Sequence, residues 1–449
     1  MSEKQYWLTS GFFTMMHRGF NFVLGFLGFM LLVRIFSPAE FGIWVLFISI
    51  TSIIEMGRNG FLQNGLIKFL VNQTLVEEQK IQTAALILNT ALTFLLIGLI
   101  WLVATPLENV LNATGLASLL KIYSIILPLL ILHTHNLILM QAKFDFKAYF
   151  VAGIAKSLPF FILVFVGFLY EMPFTLEDLA WYQNFTFVLA VPVSYFQVRH
   201  SFRVQWGWPQ IWIKRIFDFG KFVFGTNLIS MLTGSLDKFL LGALLSPVQV
   251  AIANTAGRVM NMIEIPVNSI ASIAYPKASA AHEQHQLKEV AHIFEKTVGM
   301  MLSITLPFFI ISLIFADIII LLIAGQEYID AAPFLRLIAF MAILSPYDRQ
   351  SGVILDAIGK PSLNMLMVIG TFVYGLGFTW VFIYCFGLYG AAYGLVAAVF
   401  ITVIIKQFFL QKYIPVRSWK PFVYCIQFYP ELLRMLQQKL KLGSGQRKN

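Results

Sequence analysis

The chain has 449 residues, of which 58% are hydrophobic and only 12% charged, against about 25% charged in a soluble domain. A net charge of +10 would suit a nucleic-acid partner, but the Lys and Arg residues fall where membrane topology puts them, so that class and a soluble enzyme are excluded. The only cysteines, Cys385 and Cys425, lie in an apolar span and in the tail, and build neither a disulfide framework nor a metal-ligand cluster.

The first apolar run extends from about residue 8 to 36 and is too long for anything but a membrane span. It follows a single Lys4 and lacks a small-residue cleavage site within signal-peptide range, so it reads as an uncleaved span. Thr14, His17, Arg18 and Asn21 follow the i, i+3, i+4, i+7 spacing that gathers side chains on one helix face. An intramembrane Arg costs roughly 2.5–3.5 kcal/mol on insertion scales and needs a partner or a substrate.

Cutting the rest at turn and charge clusters gives about twelve spans in all. They are 8–36, 39–56, 81–104, 117–139, 149–170, 179–198, 215–245, 248–275, 293–324, 332–353, 362–386 and 389–410. The fold class is an all-α integral membrane protein with two six-helix lobes, 1–198 and 215–413, joined by a linker, 199–214, and followed by a basic tail, 414–449.

One set of connections carries Arg58, Lys68 and Lys80, then Lys143 and Lys147, then Arg199, Arg203 and Lys214, then Lys277, Lys288 and Lys296, then Arg349 and Lys360. The alternate set carries Glu108, Glu171, Glu177, Asp178, Glu327 and Asp330, and no Lys or Arg. The positive-inside rule makes the first set cytoplasmic, and an even number of spans then leaves both termini in the cytoplasm. The outer connections are short, with no room for an extracytoplasmic catalytic domain. In the tail, Phe422, Ile426, Tyr429, Leu433, Leu436 and Leu440 recur at helical spacing opposite Glu431, Arg434, Gln437 and Lys441, a pattern for an interfacial helix that Pro430 divides, or for a solvated tail.

Residues 11–68 align without a gap on 220–277, an offset of 220 − 11 = 209. The offset pairs Ser37-Pro38 with Ser246-Pro247, Glu55 with Glu264 and Lys68 with Lys277. Six spans in each half make the repeat parallel, an arrangement common in transporters. Polar residues concentrate where the repeat is clearest: Ser52, Glu55 and Asn59 in span 2 with Arg58 beside them, Asn227, Ser230, Gly234 and Asp237 in span 7, and Asn254, Arg258, Asn261 and Glu264 in span 8, a pattern for the walls of a hydrated cavity or, for the Asn and Ser residues, for interhelical hydrogen bonds. Arg18 and Arg258 read as the only arginines deep in these spans, with Glu55, Asp237 and Glu264 as available partners, either in a neutralised network or around a cavity that grips phosphate through the planar Arg fork. Lys156, Arg34, Lys238 and Arg336 read as snorkelling or interfacial.

Residues 32–44, Leu-Val-Arg-Ile-Phe-Ser-Pro-Ala-Glu-Phe-Gly-Ile-Trp, and their counterpart 235–242, Ser-Leu-Asp-Lys-Phe-Leu-Leu-Gly, resemble the multidrug, oligosaccharidyl-lipid and polysaccharide exporter superfamily, and within it the polysaccharide repeat-unit flippases. The resemblance covers nearly the whole chain. It implies a cavity lined by spans 1, 2, 7 and 8, ion-coupled alternating access, and a substrate of undecaprenyl-diphosphate-linked oligosaccharide turned to the outer leaflet of a bacterial cytoplasmic membrane for O-antigen, capsule or exopolysaccharide synthesis. Implied partners are membrane lipids, a polysaccharide polymerase and a chain-length regulator; no cofactor is implied. On this reading Arg18, Arg258, His17, Asn21, Asn254 and Asn261 contact substrate, and Glu55, Asp237 and Glu264 are candidates for ion coupling. The alternatives are a drug or cation exporter, which calls for an acidic cavity, and a polymerase or ligase, which calls for a large outer loop. No Gly-x-x-x-x-Gly-Lys-Ser/Thr loop for ATP occurs.

Overall fold

The computed structural model describes residues 3–70 and 73–430, with side chains for 12–70, 73–221, 224–225 and 227–430. Among the described residues every regular element is a helix. In chain order they are α1 (Glu3–Ile35), α2 (Pro38–Leu70), α3 (Leu75–Val110), α4 (Leu116–Ala142), α5 (Phe146–Leu169), α6 (Leu176–Val198) and α7 (Gln210–Leu244). There follow α8 (Pro247–Met260), a 3₁₀ turn (Asn261–Ile263), α9 (Glu264–Glu283), α10 (Leu287–Ala324), α11 (Ala331–Ile338), α12 (Met341–Ala357), α13 (Pro361–Phe386) and α14 (Leu388–Tyr413).

The expected spans fall on these helices, with spans 8 and 10 each broken into two, α8 with α9 and α11 with α12. Eight helices, or nine if the bent pair α11 and α12 is one span, are long and apolar enough to cross a membrane. Those that fall short, α6, α7 and the α8–α9 pair, carry polar residues such as Asn184, Asn227, Asp237, Arg258 and Asn268.

Local chemistry explains the boundaries. Pro38, Pro247 and Pro361 open α2, α8 and α13, where the missing N–H is no loss. Thr175 and Asp178 close a capping box on α6: the Thr175 hydroxyl accepts from the Asp178 N–H at 3.1 Å, and the Asp178 carboxylate accepts from the Thr175 N–H at 2.9 Å. α13 and α14 form a hairpin through Gly387, at φ +60°, and pack closely because Gly390 has no side chain: a Cβ there would lie 1.9 Å from the Phe382 carbonyl oxygen.

The chain divides into two compact units, Met1–Ala251 and Ile252–Asn449. In the first, α7 packs along α2 and α3, and a Cβ on Gly220 would meet the Phe61 carbonyl oxygen at 2.3 Å. Its core gathers Leu62, Leu66, Ile81, Leu139 and Ile216. The second is centred on Val290, Phe294, Leu302, Ile354 and Leu410. Residues 420–430 are helical and lie against α10 of that unit, where Tyr429 donates to the Ser303 carbonyl at 2.6 Å and Gly299 faces the Tyr424 Cβ. That first stretch of the tail is packed rather than a loosely solvated tail; the remainder of the expected interfacial helix, with Leu433, Leu436 and Leu440, lies outside the described residues.

Candidate functional site

α2 runs fourteen residues past the end expected for span 2, to Leu70 instead of residue 56. Arg58, placed by sequence in a cytoplasmic connection, therefore sits inside a continuous helix and is 1% exposed. Its Nη2 donates to the Thr134 hydroxyl at 3.1 Å and its Nη1 to the Leu127 carbonyl at 3.4 Å, both on α4. The view that Arg18 and Arg258 are the only deep arginines is corrected accordingly. One turn before Arg58, Glu55 accepts from the Tyr123 hydroxyl at 3.2 Å and pairs with Lys156 of α5 at 3.6 Å. Lys156 is thus turned into the bundle, with its Nζ 4.4 Å from the Phe187 ring centre, and does not snorkel.

Glu55, Arg58, Thr134, Lys156 and Phe187 line a cavity of about 300 Å³ within the first unit, walled by α1, α2, α4, α5 and α6. His17 and Asn21 enter it from α1 and meet each other at 3.1 Å, one helical turn apart. His17 seats against the Tyr149 ring at 4.8 Å and over Gly153, where a Cβ would fall 2.1 Å from the imidazole. Glycine is required there because the ring occupies the space of a side chain. Gln63 and Gln141 close one end, amide to amide, at 2.8 Å. A second recess of about 340 Å³ adjoins it and shares Glu55, Asn59 and Gln63 with the first, adding Ser52, Asn64 and Asn227 of α7. The period of four in Glu55, Asn59 and Gln63 makes one stripe of α2 the common wall of both.

The electrostatics of the chamber follow from its charges. Arg58 and Lys156 face one carboxylate, Glu55, which leaves one positive charge in excess. Arg58 Nε and Asn59 Oδ1 are buried without a hydrogen-bond partner. Buried polar atoms of this kind are normally satisfied, so the site has hydrogen-bonding capacity left for water or a ligand. An anion fits such a lining and a cation does not.

The remaining sequence candidates are placed differently. Arg18 follows His17 on α1 but is exposed and lines neither recess. Asp237 is half-buried on α7 and also lines neither. In the second unit, Asn254 is buried and Arg258 half-buried on α8, while Asn261 is exposed on the 3₁₀ turn. Glu264 pairs with Arg349 of α12 at 2.9 Å, so its partner is not one of the two arginines expected. Lys406 of α14, 4% exposed, donates to the Asp348 carboxylate at 2.7 Å, and Glu295, 2% exposed, accepts from the Arg417 N–H at 2.8 Å and pairs with Lys420 at 3.2 Å. Sequence reasoning set Arg58 beside the polar stripe of span 2 but did not make it a site residue, and it missed His133 and Lys156, which line the chamber, and Tyr123, which donates to Glu55. The signal for Arg58 was present in the Glu55, Asn59, Gln63 stripe, which continues the helix through it.

A family model described as polysaccharide biosynthesis protein matches residues 31–333. The chain is 21% identical over 384 residues to a Shigella flexneri protein named for O-antigen transport, covering 82% of this chain and 88% of that one. It spans about two fifths of the length of other relatives it matches, 40% and 43%. Among solved structures, an inward-facing multidrug resistance MATE family transporter of the MOP superfamily superposes with a TM-score of 0.73 at 16% identity, over 87% of this chain and 94% of that one. The lipid II flippase MurJ, in an inward closed conformation, gives 0.73 at 12% identity over 95% and 92%. At those identities the likeness is one of fold. With two thirds of its length under the family model, the chain belongs to the polysaccharide biosynthesis protein family and has the helical membrane fold of the multidrug, oligosaccharidyl-lipid and polysaccharide exporters.

Proposed function

We propose that this protein flips a polyprenyl-diphosphate-linked oligosaccharide, with undecaprenyl as the carrier, from the inner to the outer leaflet of a bacterial cytoplasmic membrane, feeding O-antigen, capsule or exopolysaccharide assembly. The observation that carries the reading is the cationic chamber around Arg58 and Lys156, set in a chain of the polysaccharide biosynthesis family. Its excess positive charge suits the anionic groups of such a substrate, and the amides of Asn21, Asn59 and Gln63 suit the hydroxyls of a glycan. The polyprenyl tail stays in the bilayer, where no polar surface has to be desolvated for it. A drug cation would meet the wrong charge.

Several finer assignments belong to the same proposal. Arg18 and Arg258 add anion contacts, one in each unit, with His17, Asn21, Asn254 and Asn261 as their polar neighbours. Glu55, Asp237 and Glu264 are the carboxylates from which an ion gradient would draw its coupling. The lobes are 1–198 and 215–413, the termini face the cytoplasm, and the polymerase and chain-length regulator of the pathway take the flipped product. The protein performs no chemistry on the glycan.

Reconstitution tests the reading. An undecaprenyl-diphosphate-linked oligosaccharide bearing a dithionite-sensitive fluorophore on its sugar is placed in vesicles with the purified protein. Exchange of the label between leaflets well above the rate of protein-free vesicles is expected; equal rates would sink the proposal.

A further inference from the structure

Between α9 and α10 the second unit holds a groove of about 540 Å³, separate from the chamber described above. Its floor is apolar, with Ile270, Ile273 and Ala274 on α9 and Ile293 and Met300 on α10. Lys277 and Lys296 rim it, both exposed and neither in an ion pair among the described residues. They stand about 10 to 15 Å along their helices from the turn that joins α9 to α10. At that depth a lysine ammonium reaches the headgroup region of a bilayer while the apolar floor continues into the hydrocarbon.

The rest of the rim fixes the charge of the occupant. Glu289 faces the same groove, so two lysines stand against one carboxylate and leave one positive charge. That balance matches a single phosphodiester. Gln284 and Gln286, at the mouth, offer amides to headgroup hydroxyls. The first half of the chain treats its corresponding lysine otherwise: Lys68, which the 209-residue offset pairs with Lys277, lies over the rings of Phe69 and Phe219 at 5.7 and 4.8 Å. Aromatic rings flank the cation in one half; in the other it rims a groove.

We infer that the α9–α10 groove is a binding site for a singly charged acidic phospholipid, its phosphodiester between Lys277 and Lys296 and one acyl chain along Ile270, Ile273 and Met300. Basic pockets between membrane helices take anionic headgroups for the same electrostatic reason. The site is independent of the flippase reading, because it involves none of the residues assigned to the glycan carrier.

Native mass spectrometry of the full-length protein in detergent, titrated with phosphatidylglycerol, tests it. K277Q/K296Q is expected to need at least about tenfold more lipid for half-saturation. A280W, which fills the groove and keeps both charges, should behave likewise and stands in if the double variant folds poorly. K147Q/K288Q removes the same charge from positions outside the groove and should bind within about twofold of the unaltered protein. Equal weakening in K147Q/K288Q would reduce the effect to general surface attraction and overturn the inference. So would unchanged binding in both groove variants, or phosphatidylcholine binding as tightly as phosphatidylglycerol. Displacement of phosphatidylglycerol by a lower concentration of undecaprenyl diphosphate would assign the groove to the carrier lipid instead.

Discussion

Two clusters of charge, one in each unit, are arranged in opposite ways. In the first, Glu55, Arg58 and Lys156 surround open space, with a 3.6 Å ion pair and a guanidinium that keeps one nitrogen unpaired. In the second, Lys406 and Asp348 meet at 2.7 Å, and Glu295 takes both a backbone N–H and Lys420. Charges around a cavity can exchange partners with water or ligand, whereas charges in contact have spent their capacity on each other. On the proposed function, the difference is the one expected between charges that bind and charges that hold the fold.

The comparison can be broken most forcefully in the second unit. Lys406→Met removes one partner of a pair whose lysine is almost fully buried and leaves the Asp348 carboxylate facing apolar helices. Loss of about 3 kcal/mol of stability is expected, with Asp348's partial exposure holding it at the low end for a buried pair. Thermal unfolding in detergent would read it, and Lys406→Met/Asp348→Leu should recover most of the loss, because no charge is then left unpaired. A double variant as unstable as the single one would mean that the pair does more than neutralise itself.

A smaller stability effect and a larger functional one are expected in the chamber. Glu55→Gln keeps the shape and the Tyr123 hydrogen bond, and water in the cavity screens the two cations left behind, so the melting transition should move by about 1 kcal/mol or less. Flipping per folded molecule should fall at least about tenfold, since the variant strips the site of its only carboxylate and traps an anionic group there. Wild-type flipping by Glu55→Gln would remove that residue from the transport cycle.

The least effect is expected at the tail. Lys420 is about one-third exposed on its side chain, and Glu295 keeps its hydrogen bond from the Arg417 N–H when Lys420 is lost. Lys420→Ala should cost under about 1 kcal/mol. A larger shift in the unfolding midpoint would show that the helix at 420–430 is held mainly by this pair and not by Tyr424 and Tyr429.

Much of the fold was legible in the sequence because apolar runs of span length have few other uses. Every expected span overlaps a helix or a broken pair of helices, and Pro38 and Pro247, matched by the offset, both open one. The site was legible only in part. His17 and Asn21 were found because a period of four is visible in an otherwise oily helix. Arg18, adjacent to His17, is turned about 100° around the same helix and so leaves the chamber. Arg58 was misplaced for the opposite reason: the polar stripe of α2 lowered the hydropathy until the second half of a 33-residue helix looked like a loop. Lys156 could not be assigned from its own helix at all, since its partners, Glu55 and Phe187, come from α2 and α6. Helix faces can be read one segment at a time; partners that converge from five helices cannot.

The central claim is that the charges around the first unit's chamber serve the substrate while the Lys406–Asp348 pair of the second serves the fold, and one paired measurement tests it most directly. Arg58→Lys and Lys406→Met/Asp348→Leu are reconstituted side by side, and flipping of the labelled undecaprenyl-diphosphate-linked oligosaccharide is normalised to folded protein. Lysine keeps the charge of Arg58 but cannot hold both the Leu127 carbonyl and the Thr134 hydroxyl while presenting a planar fork to an anion. The account predicts that Arg58→Lys loses flipping at least about tenfold with under about 2 kcal/mol lost in stability, while Lys406→Met/Asp348→Leu flips within about twofold of wild type. The reverse order, with normal flipping by Arg58→Lys and an inactive but well-folded Lys406→Met/Asp348→Leu, would contradict it.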